Sequence, residues 1–302
     1  MGASSGEATL LTNHLSFETR PWRGMTTPLR TVFINHGGGP CFFMPDGAMG
    51  PPGAWNSMAS HLKALVPSVC PKKPAAVLVI SAHWETEKPT VLSSANPPLL
   101  YDYYGFPPET YELKWPAPGD PALAVRVREL LEAGGFKTGE DAKRGFDHGV
   151  FIPLKLSFPD ADVPTVQLSL VAGLDPEKHL AMGRALAPLR GENVLIVGSG
   201  QSFHNMAGFF SGGFEEPARE FDRWLNETCV GVEPRQRSER LRNWTAAPSA
   251  RAVHPREEHL APLFVAAGAA EDEPGERVYA DDVLNLAMSG YAFGATSECV
   301  AP

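Results

Sequence analysis

The sequence predicts an α/β fold, a single domain in which a largely parallel central sheet is flanked by helices on both faces. Three short runs, at residues 31–34, 75–80 and 193–198, are strongly apolar and end in polar residues. Such runs are typical of strands that are buried on both faces of a parallel sheet. Helical patterns separate them, and alternating strands and helices predict parallel pairing.

The remaining elements follow in chain order. The helix at 121–134 has the clearest boundaries, since Pro121 stands at its start and two glycines at its end. The segment 99–119 is aromatic and rich in proline, so we expect an ordered loop there. We expect residues 1–27 to form a flexible leader and residues 28–297 to form one folded domain. Further strands are predicted at 90–94 and 164–170, and further helices at 54–64, 176–189, 217–228 and 259–268.

Composition excludes several classes of function. The 302 residues carry a formal net charge of −9, with 35 acidic residues against 26 lysines and arginines, so a nucleic-acid partner is not expected. No run reaches the ~20 apolar residues of a membrane span, and the N-terminal segment lacks the apolar core of a secretory signal. The four cysteines form no CxxC pair. We therefore expect a cytoplasmic protein, as a monomer or a small homo-oligomer.

Histidines stand at the ends of the three apolar runs. His36 follows the first run, His83 the second and His204 the third. Ligand sites of open α/β sheets lie beyond the carboxyl ends of the strands, so these side chains are predicted to meet in one crevice. Imidazole is both the commonest metal ligand and a proton carrier near neutral pH. The pattern therefore favours a metal site with a histidine left for acid–base work.

Further histidines support this interpretation, although each has a simpler alternative. His148 lies in a polar-then-apolar motif, and His254 and His259 form a His-x4-His pair. A single histidine after a strand is more often a loop residue or a buried polar group, and we assign His14, His61 and His179 to that class. The Gly-Ser-Gly at 198–200 lacks the spacing of either a dinucleotide fingerprint or a nucleophile elbow, so neither function is expected.

Taken together, these motifs resemble the class III extradiol ring-cleavage dioxygenases, the LigB-like superfamily, and most of all the DOPA dioxygenase branch. The resemblance runs from about residue 31 to residue 291. It is carried, in order, by His36-Gly-Gly-Gly-Pro, Ser81-Ala-His-Trp-Glu, Tyr101-Asp-Tyr-Tyr-Gly-Phe-Pro, Trp115-Pro-Ala-Pro-Gly, Asp147-His-Gly-Val-Phe-Ile-Pro-Leu, Gly198-Ser-Gly-Gln-Ser-Phe-His-Asn and His254-Pro-Arg-Glu-Glu-His.

The resemblance implies a set of metal ligands. It places the metal on His36, His83 and His259, whereas the protocatechuate-cleaving branch uses two histidines and a glutamate. Because Glu258 is adjacent to His259, coordination by Glu258 instead remains an alternative. Iron(II) is the expected catalytic ion, and zinc is a possible ion of the isolated protein because it binds such sites more tightly.

The resemblance also implies the chemistry, which is the opening of a small, DOPA-like catechol ring with O2. His204 is the expected proton carrier, and His148 and His254 are expected to orient or stabilise intermediates. Trp84, Tyr104 and Phe106 are predicted to contact the substrate. Arg144 and Arg256 are weaker candidates for pairing with a substrate carboxylate.

Two other functions use the same histidines. One is a zinc-dependent hydrolase or amidase that works through metal-bound hydroxide. The other is a non-catalytic metal-binding protein on the same scaffold.

Overall fold

The computed structural model describes residues 27–70 and 72–295, and a single eight-stranded sheet organises them. The strand order is β4-β3-β5-β2-β6-β1-β8-β7. The strands are β1 (Thr31–Asn35), β2 (Ala76–Thr86), β3 (Thr90–Leu92), β4 (Gly139–Asp141), β5 (Thr165–Val171), β6 (Val194–Gly200), β7 (Gly275–Val283) and β8 (Leu286–Phe293).

Helices fill the connections between these strands. They are α1 (Asn56–Val69), α2 (Pro121–Ala133), α3 (His148–Ser157), α4 (Pro176–Leu186), α5 (Pro188–Gly191), α6 (Met206–Ser211), α7 (Glu215–Cys229), α8 (Pro234–Arg242), α9 (Ala250–Val253) and α10 (Ala261–Gly268). The predicted α/β class is therefore confirmed. No helix within the described residues has the length and apolar character needed to cross a bilayer.

The centre of the sheet is parallel, as the apolar runs predict. β6 lies between β1 and β2, and both neighbours pair with it in parallel, with Val32 opposite Val197 and Val77 opposite Leu195. β5 pairs in parallel with the other edge of β2. Every residue of β1, β5 and β6 is buried, since helices cover both faces. The carboxyl ends of β1, β6 and β2 therefore lie side by side at one edge of the sheet.

The antiparallel C-terminal hairpin was not predicted. β7 pairs with β8, and β8 pairs with β1, so the hairpin extends the sheet beyond β1. The two residues of its turn, Leu284 and Asn285, have φ values of 52° and 66°. Positive φ at both positions is the hallmark of the tight turns that suit the twist of paired strands. Asparagine tolerates this conformation, but leucine rarely adopts it, so the sequence carried only half of the usual signal.

Several predicted boundaries shift, and each shift has a local cause. The helix predicted at 176–189 is interrupted at Ala187, because Pro188 has no N–H for a continuing helix and instead starts α5. β2 continues six residues beyond Ile80, so His83 lies within the strand and not after it. α3 was missed because it is almost wholly buried and contains Gly149 and Pro153, which leaves no amphipathic stripe to recognise.

The glycines at 198 and 200 allow another chain segment to lie directly on β6. A Cβ atom at Gly198 would stand 2.4 Å from the carbonyl oxygen of Pro262, and one at Gly200 would stand 2.1 Å from that of His259. The backbone N–H of Gln201 also donates to the carbonyl oxygen of His259 at 3.0 Å. This motif therefore serves close packing, and it fixes the segment that carries His259 against the carboxyl end of β6.

Candidate active site

Two of the predicted histidines face each other across the carboxyl edge of the sheet. The Nε2 atoms of His36 and His83 are 3.3 Å apart. The other ring nitrogen of His36, Nδ1, lies 2.9 Å from the carbonyl oxygen of Gly37 and donates to it, because a carbonyl can only accept. The Nε2 atom of His36 therefore carries a lone pair directed at His83.

His259 completes a group of three. It stands just before α10, and its ring centroid lies 5.2 Å from that of His36 and 4.9 Å from that of His83. Its Nδ1 atom is 3.0 Å from Oε1 of Glu258, which leaves Nε2 free. His36, His83 and His259 each offer one nitrogen within 4.8 Å of the others. The structure thus brings together the three histidines that the sequence suggested as ligands.

Burial keeps these three imidazoles neutral. It is the main cause that lowers the pKa of His36 and of His259 well below the ordinary value, and the neighbouring histidines lower both further. The pKa of His83 falls to about 4, again mainly through burial and then through His148, although Asp147 and Asp102 oppose the shift. A neutral imidazole has a lone pair to donate, which is the form that a metal ion requires.

His204 stacks on the ring of His259, the third member of this group. The two rings are stacked with centroids 3.4 Å apart and planes inclined by 15°. The Nδ1 atom of His204 is 3.2 Å from Oε1 of Glu258, the same oxygen that His259 contacts. Burial alone would raise the pKa of the Glu258 carboxyl, but hydrogen bonding and the charges of His204 and Arg256 together outweigh that effect, and the pKa is lowered. Glu258 therefore lies behind both rings as a carboxylate.

A second carboxylate, not identified from the sequence, lies behind His148 and His83. Oδ1 of Asp102 accepts from both the backbone N–H and the Nδ1–H of His148, each at 2.8 Å, and Oδ2 lies 3.8 Å from Nδ1 of His83. The rings of His83 and His148 have centroids 3.9 Å apart. Asp102 is the one acidic residue of the Tyr101–Pro107 motif, which was the only available signal for its role.

A buried acidic residue fixes the strand that carries His83. Asp147 is fully buried and accepts hydrogen bonds from Ser81 at 2.7 Å, from Gln167 and from Arg144 at 3.1 Å. Arg144 also donates to the carbonyl oxygen of His83 at 3.0 Å. A buried carboxylate needs such partners to remain charged. The guanidinium of Arg144 is therefore engaged in holding the site together.

Comparison with known proteins identifies the family. Residues 31–293 match the family described as the catalytic LigB subunit of aromatic ring-opening dioxygenase. The chain belongs to the LigB family. Its predicted class, an extradiol ring-opening dioxygenase, is thereby confirmed.

Several relatives of the LigB family are similar over most of their length. The chain is 40% identical to the dioxygenase tasH of Hapsidospora irregularis, over 88% of this chain and 85% of that protein. It is 43% identical to the 4,5-DOPA dioxygenase extradiol of Portulaca grandiflora, over 75% of this chain and 84% of that protein. The crystal structure of an uncharacterized protein from Escherichia coli K12 matches with a TM-score of 0.69 and 28% identity, covering 88% of this chain and all of that one.

In the tyrosine-rich motif at 101–107, Tyr103 and not the expected Tyr104 lies next to the site. Tyr104, predicted to contact the substrate, is 90% exposed. Its neighbour Tyr103 is buried, and its ring packs edge-on against His148 with centroids 5.8 Å apart. Phe106 is partly buried and lies against Gly39 in the loop that follows His36. Tyr103 and Phe106 are thus the aromatic residues of this loop that lie next to the site.

Trp84 and His254 do not join the histidine cluster. Trp84 is buried beneath the guanidinium of Arg144, which lies 4.8 Å from the ring centroid. It follows His83 directly in β2, and successive strand residues point to opposite faces of a sheet. His254 is fully buried between Phe221 and Trp244, and its Nε2–H donates to the carbonyl oxygen of Ser202 at 3.0 Å. Neither position supports a direct role in the chemistry.

The buried position of His254 predicts a pH dependence of stability. Burial lowers its pKa to about 3, below the value of about 6.5 in an unfolded chain. Between those two pH values the unfolded state binds the extra proton, so the stability supplied by neutral His254 is lost as the pH falls. The slope is up to about 1.4 kcal/mol per pH unit. His254→Gln retains a donor for Ser202 but does not titrate, so its unfolding free energy is expected to depend less steeply on pH.

The comparison is made by urea denaturation of metal-free wild type and His254→Gln between pH 7 and pH 4. Removing the metal first prevents its release in acid from adding to the slope. Identical pH slopes for the two proteins would contradict the assignment.

Proposed function

We propose that the protein opens the ring of a small catechol with O2 at a metal ion held by His36, His83 and His259. The observation that carries this proposal is the pair of Nε2 atoms 3.3 Å apart on two buried, neutral imidazoles. Two nitrogens that bind one ion at 2.0–2.1 Å in tetrahedral geometry lie about 3.4 Å apart. Without a cation, the lone pair of His36 can accept a hydrogen bond from the Nε2–H of His83. The same spacing of the two nitrogens suits a metal ion bound between them.

The donor set also supports His259, and not Glu258, as the third ligand. The Nε2 atom of His259 is free, whereas Oε1 of Glu258 is already the acceptor for two ring N–H groups. Hydrogen bonding of the second ring nitrogen to a carboxylate or carbonyl is the usual arrangement for a metal-binding histidine. His259 has Glu258 in that position and His36 has Gly37, whereas the nearest carboxylate to Nδ1 of His83, that of Asp102, lies 3.8 Å away, beyond hydrogen-bond distance.

When bound, an iron(II) ion supplies a place at which both catechol oxygens and O2 meet, and it makes the catechol hydroxyl more acidic. The chain's own residues handle the proton. His204 is positioned to accept it at Nε2, because its Nδ1–H is donated to Glu258, whose negative charge stabilises the imidazolium that forms. His148, fixed by the two hydrogen bonds that it donates to Asp102, presents its Nε2 atom as a further polar contact.

Two observations support a catechol as the substrate: the names of the relatives and the aromatic side chains beside the site. The relatives include several proteins named 4,5-DOPA dioxygenase extradiol, which favours a catechol with an amino-acid or carboxylate side chain. Tyr103 packs against His148, and Phe106 packs against Tyr103, so these two side chains offer an apolar surface for an aromatic substrate. Neither suggested arginine is free, since Arg144 holds Asp147 and Arg256 pairs with Glu85 and Glu258. We therefore assign no protein partner to the carboxylate of the substrate.

The test is anaerobic reconstitution of the metal-free protein with iron(II), followed by a panel of catechols that includes DOPA. We expect O2 uptake and a new absorbance band for at least one catechol, and none with the zinc-loaded protein or in the absence of O2. Mass and NMR spectra of the product identify the bond that is cleaved. If no catechol in a broad panel stimulates O2 uptake, the proposal is wrong, and O2-independent hydrolysis by the zinc form would favour a hydrolase instead.

A further inference from the structure

One carboxylate oxygen is shared by two histidines that the proposed reaction uses differently. Oε1 of Glu258 lies 3.0 Å from Nδ1 of His259 and 3.2 Å from Nδ1 of His204. The two rings are stacked almost in parallel, with centroids 3.4 Å apart. A carboxylate can only accept, so the hydrogen bond to Glu258 puts the proton of His259 on Nδ1, and the contact of His204 with the same oxygen favours the same tautomer there. One acceptor atom is thus placed to set the tautomer of both rings.

An arginine lies next to the second oxygen of this carboxylate, at ion-pair distance and without a hydrogen bond. That oxygen, Oε2, lies 3.5 Å from Nη1 of Arg256, and Nη2 of Arg256 pairs with Glu85. Glu85 belongs to β2, two residues after His83. The contacts therefore run from the strand that carries His83, through Arg256, to Glu258 and its two histidines. With 17% of its side chain exposed, Glu258 meets the two histidines in a largely dry environment, where charge-assisted hydrogen bonds are strong, whereas Arg256 is 56% exposed.

We propose that Glu258 is a positioning residue that keeps His259 ready to bind the metal and His204 ready to accept the substrate proton, through one shared oxygen atom. The inference deepens the proposed function and rests on it only for the roles of His259 and His204. The parallel stacking places their Nε2 atoms on the same side of Glu258, so the ligand and the proton acceptor keep a fixed spacing. Loss of the carboxylate is expected to disturb both histidines together.

The first experiment measures ring tautomers and needs neither catechol nor O2. Metal-free protein labelled with ¹⁵N-histidine is studied by long-range ¹H–¹⁵N NMR at neutral pH, with assignments from single histidine variants. We expect His204 and His259 to be protonated on Nδ1 in the wild type and to lose that preference in Glu258→Ala. An Nε2–H tautomer for either residue in the wild type would overturn the proposal, even if the variant fails to fold.

The second experiment measures metal affinity by competition between the protein and a chelator for Co²⁺. Removing such a hydrogen-bond partner is expected to weaken binding by about 10–100-fold in Glu258→Ala. Glu258→Gln, whose amide oxygen still accepts, is expected to lie between Glu258→Ala and the wild type. The matched control is Glu257→Ala, because Glu257 is adjacent but pairs with Arg251 at 2.6 Å and contacts neither histidine.

Two outcomes separate this proposal from the proposed function. If Glu258→Ala binds Co²⁺ as tightly as Glu257→Ala does, the positioning role is wrong whatever the enzyme catalyses. If tautomers and affinities change as expected but no catechol is cleaved, the positioning role stands and the dioxygenase proposal fails.

Discussion

Replacing His36 or His83 with alanine is expected to abolish both stoichiometric metal binding and catechol turnover. A site with three protein ligands cannot lose one and retain an ion at ordinary metal concentrations. Elemental analysis of the purified variants measures the metal directly, and the wild type is expected to carry zinc or iron.

The control for this experiment is His61→Gln. His61 lies on α1 and stacks on Tyr279 with ring centroids 5.0 Å apart, outside the group of possible ligands. This variant is expected to keep its full complement of metal. Full metal occupancy in His36→Ala or His83→Ala would refute the assignment of the site.

The second large effect concerns His204. If it accepts the substrate proton without being an obligatory ligand, His204→Ala keeps its metal and still binds catechol. Turnover nevertheless falls by roughly 10²–10⁴-fold, the usual range for losing a positioned proton-transfer group. His204→Gln preserves size and hydrogen bonding but cannot carry the proton, so it is expected to be nearly as slow.

Metal content and catechol affinity distinguish the two roles of His204. Loss of metal from His204→Ala as complete as that from His36→Ala would make His204 a ligand. The proton carrier would then be sought at His148, which lies on the other side of the cluster with its ring centroid 5.3 Å from that of His36.

The central sheet and the meeting of His36 with His83 were predictable, because both depend on the local sequence pattern of the strands. The apolar runs that became β1, β2 and β6 begin within one residue of their predicted starts. Parallel strands bring their carboxyl ends together, so the meeting of His36 and His83 follows from topology. The place of His259 was available only through the family resemblance, because it depends on how α10 packs against β6.

Other features depend on single-residue orientation or on contacts between distant segments. Tyr103 and Tyr104 are chemically identical neighbours, and only the path of the loop determines which of them faces His148. Composition likewise gave no reason to pair Asp102 with His148, which lies 46 positions further along the chain. Trp84 is different, because its strand was expected to end at Ile80, whereas β2 continues to Thr86 and directs the successive side chains of His83 and Trp84 to opposite faces.

The pairing of β1 has a consequence for when the site can form. β1 is the first of the described strands, and among them it pairs with two that are made much later, with Val32 opposite both Val197 in β6 and Ala292 in β8. Contacts between such distant positions form slowly, because a long loop must close before they stabilise anything. While the ribosome is still extending the chain, His36 therefore has no completed sheet to hold it opposite His83. The proposed metal site is therefore expected to form only after β8 has left the ribosome, so we expect the metal to bind after that strand is made.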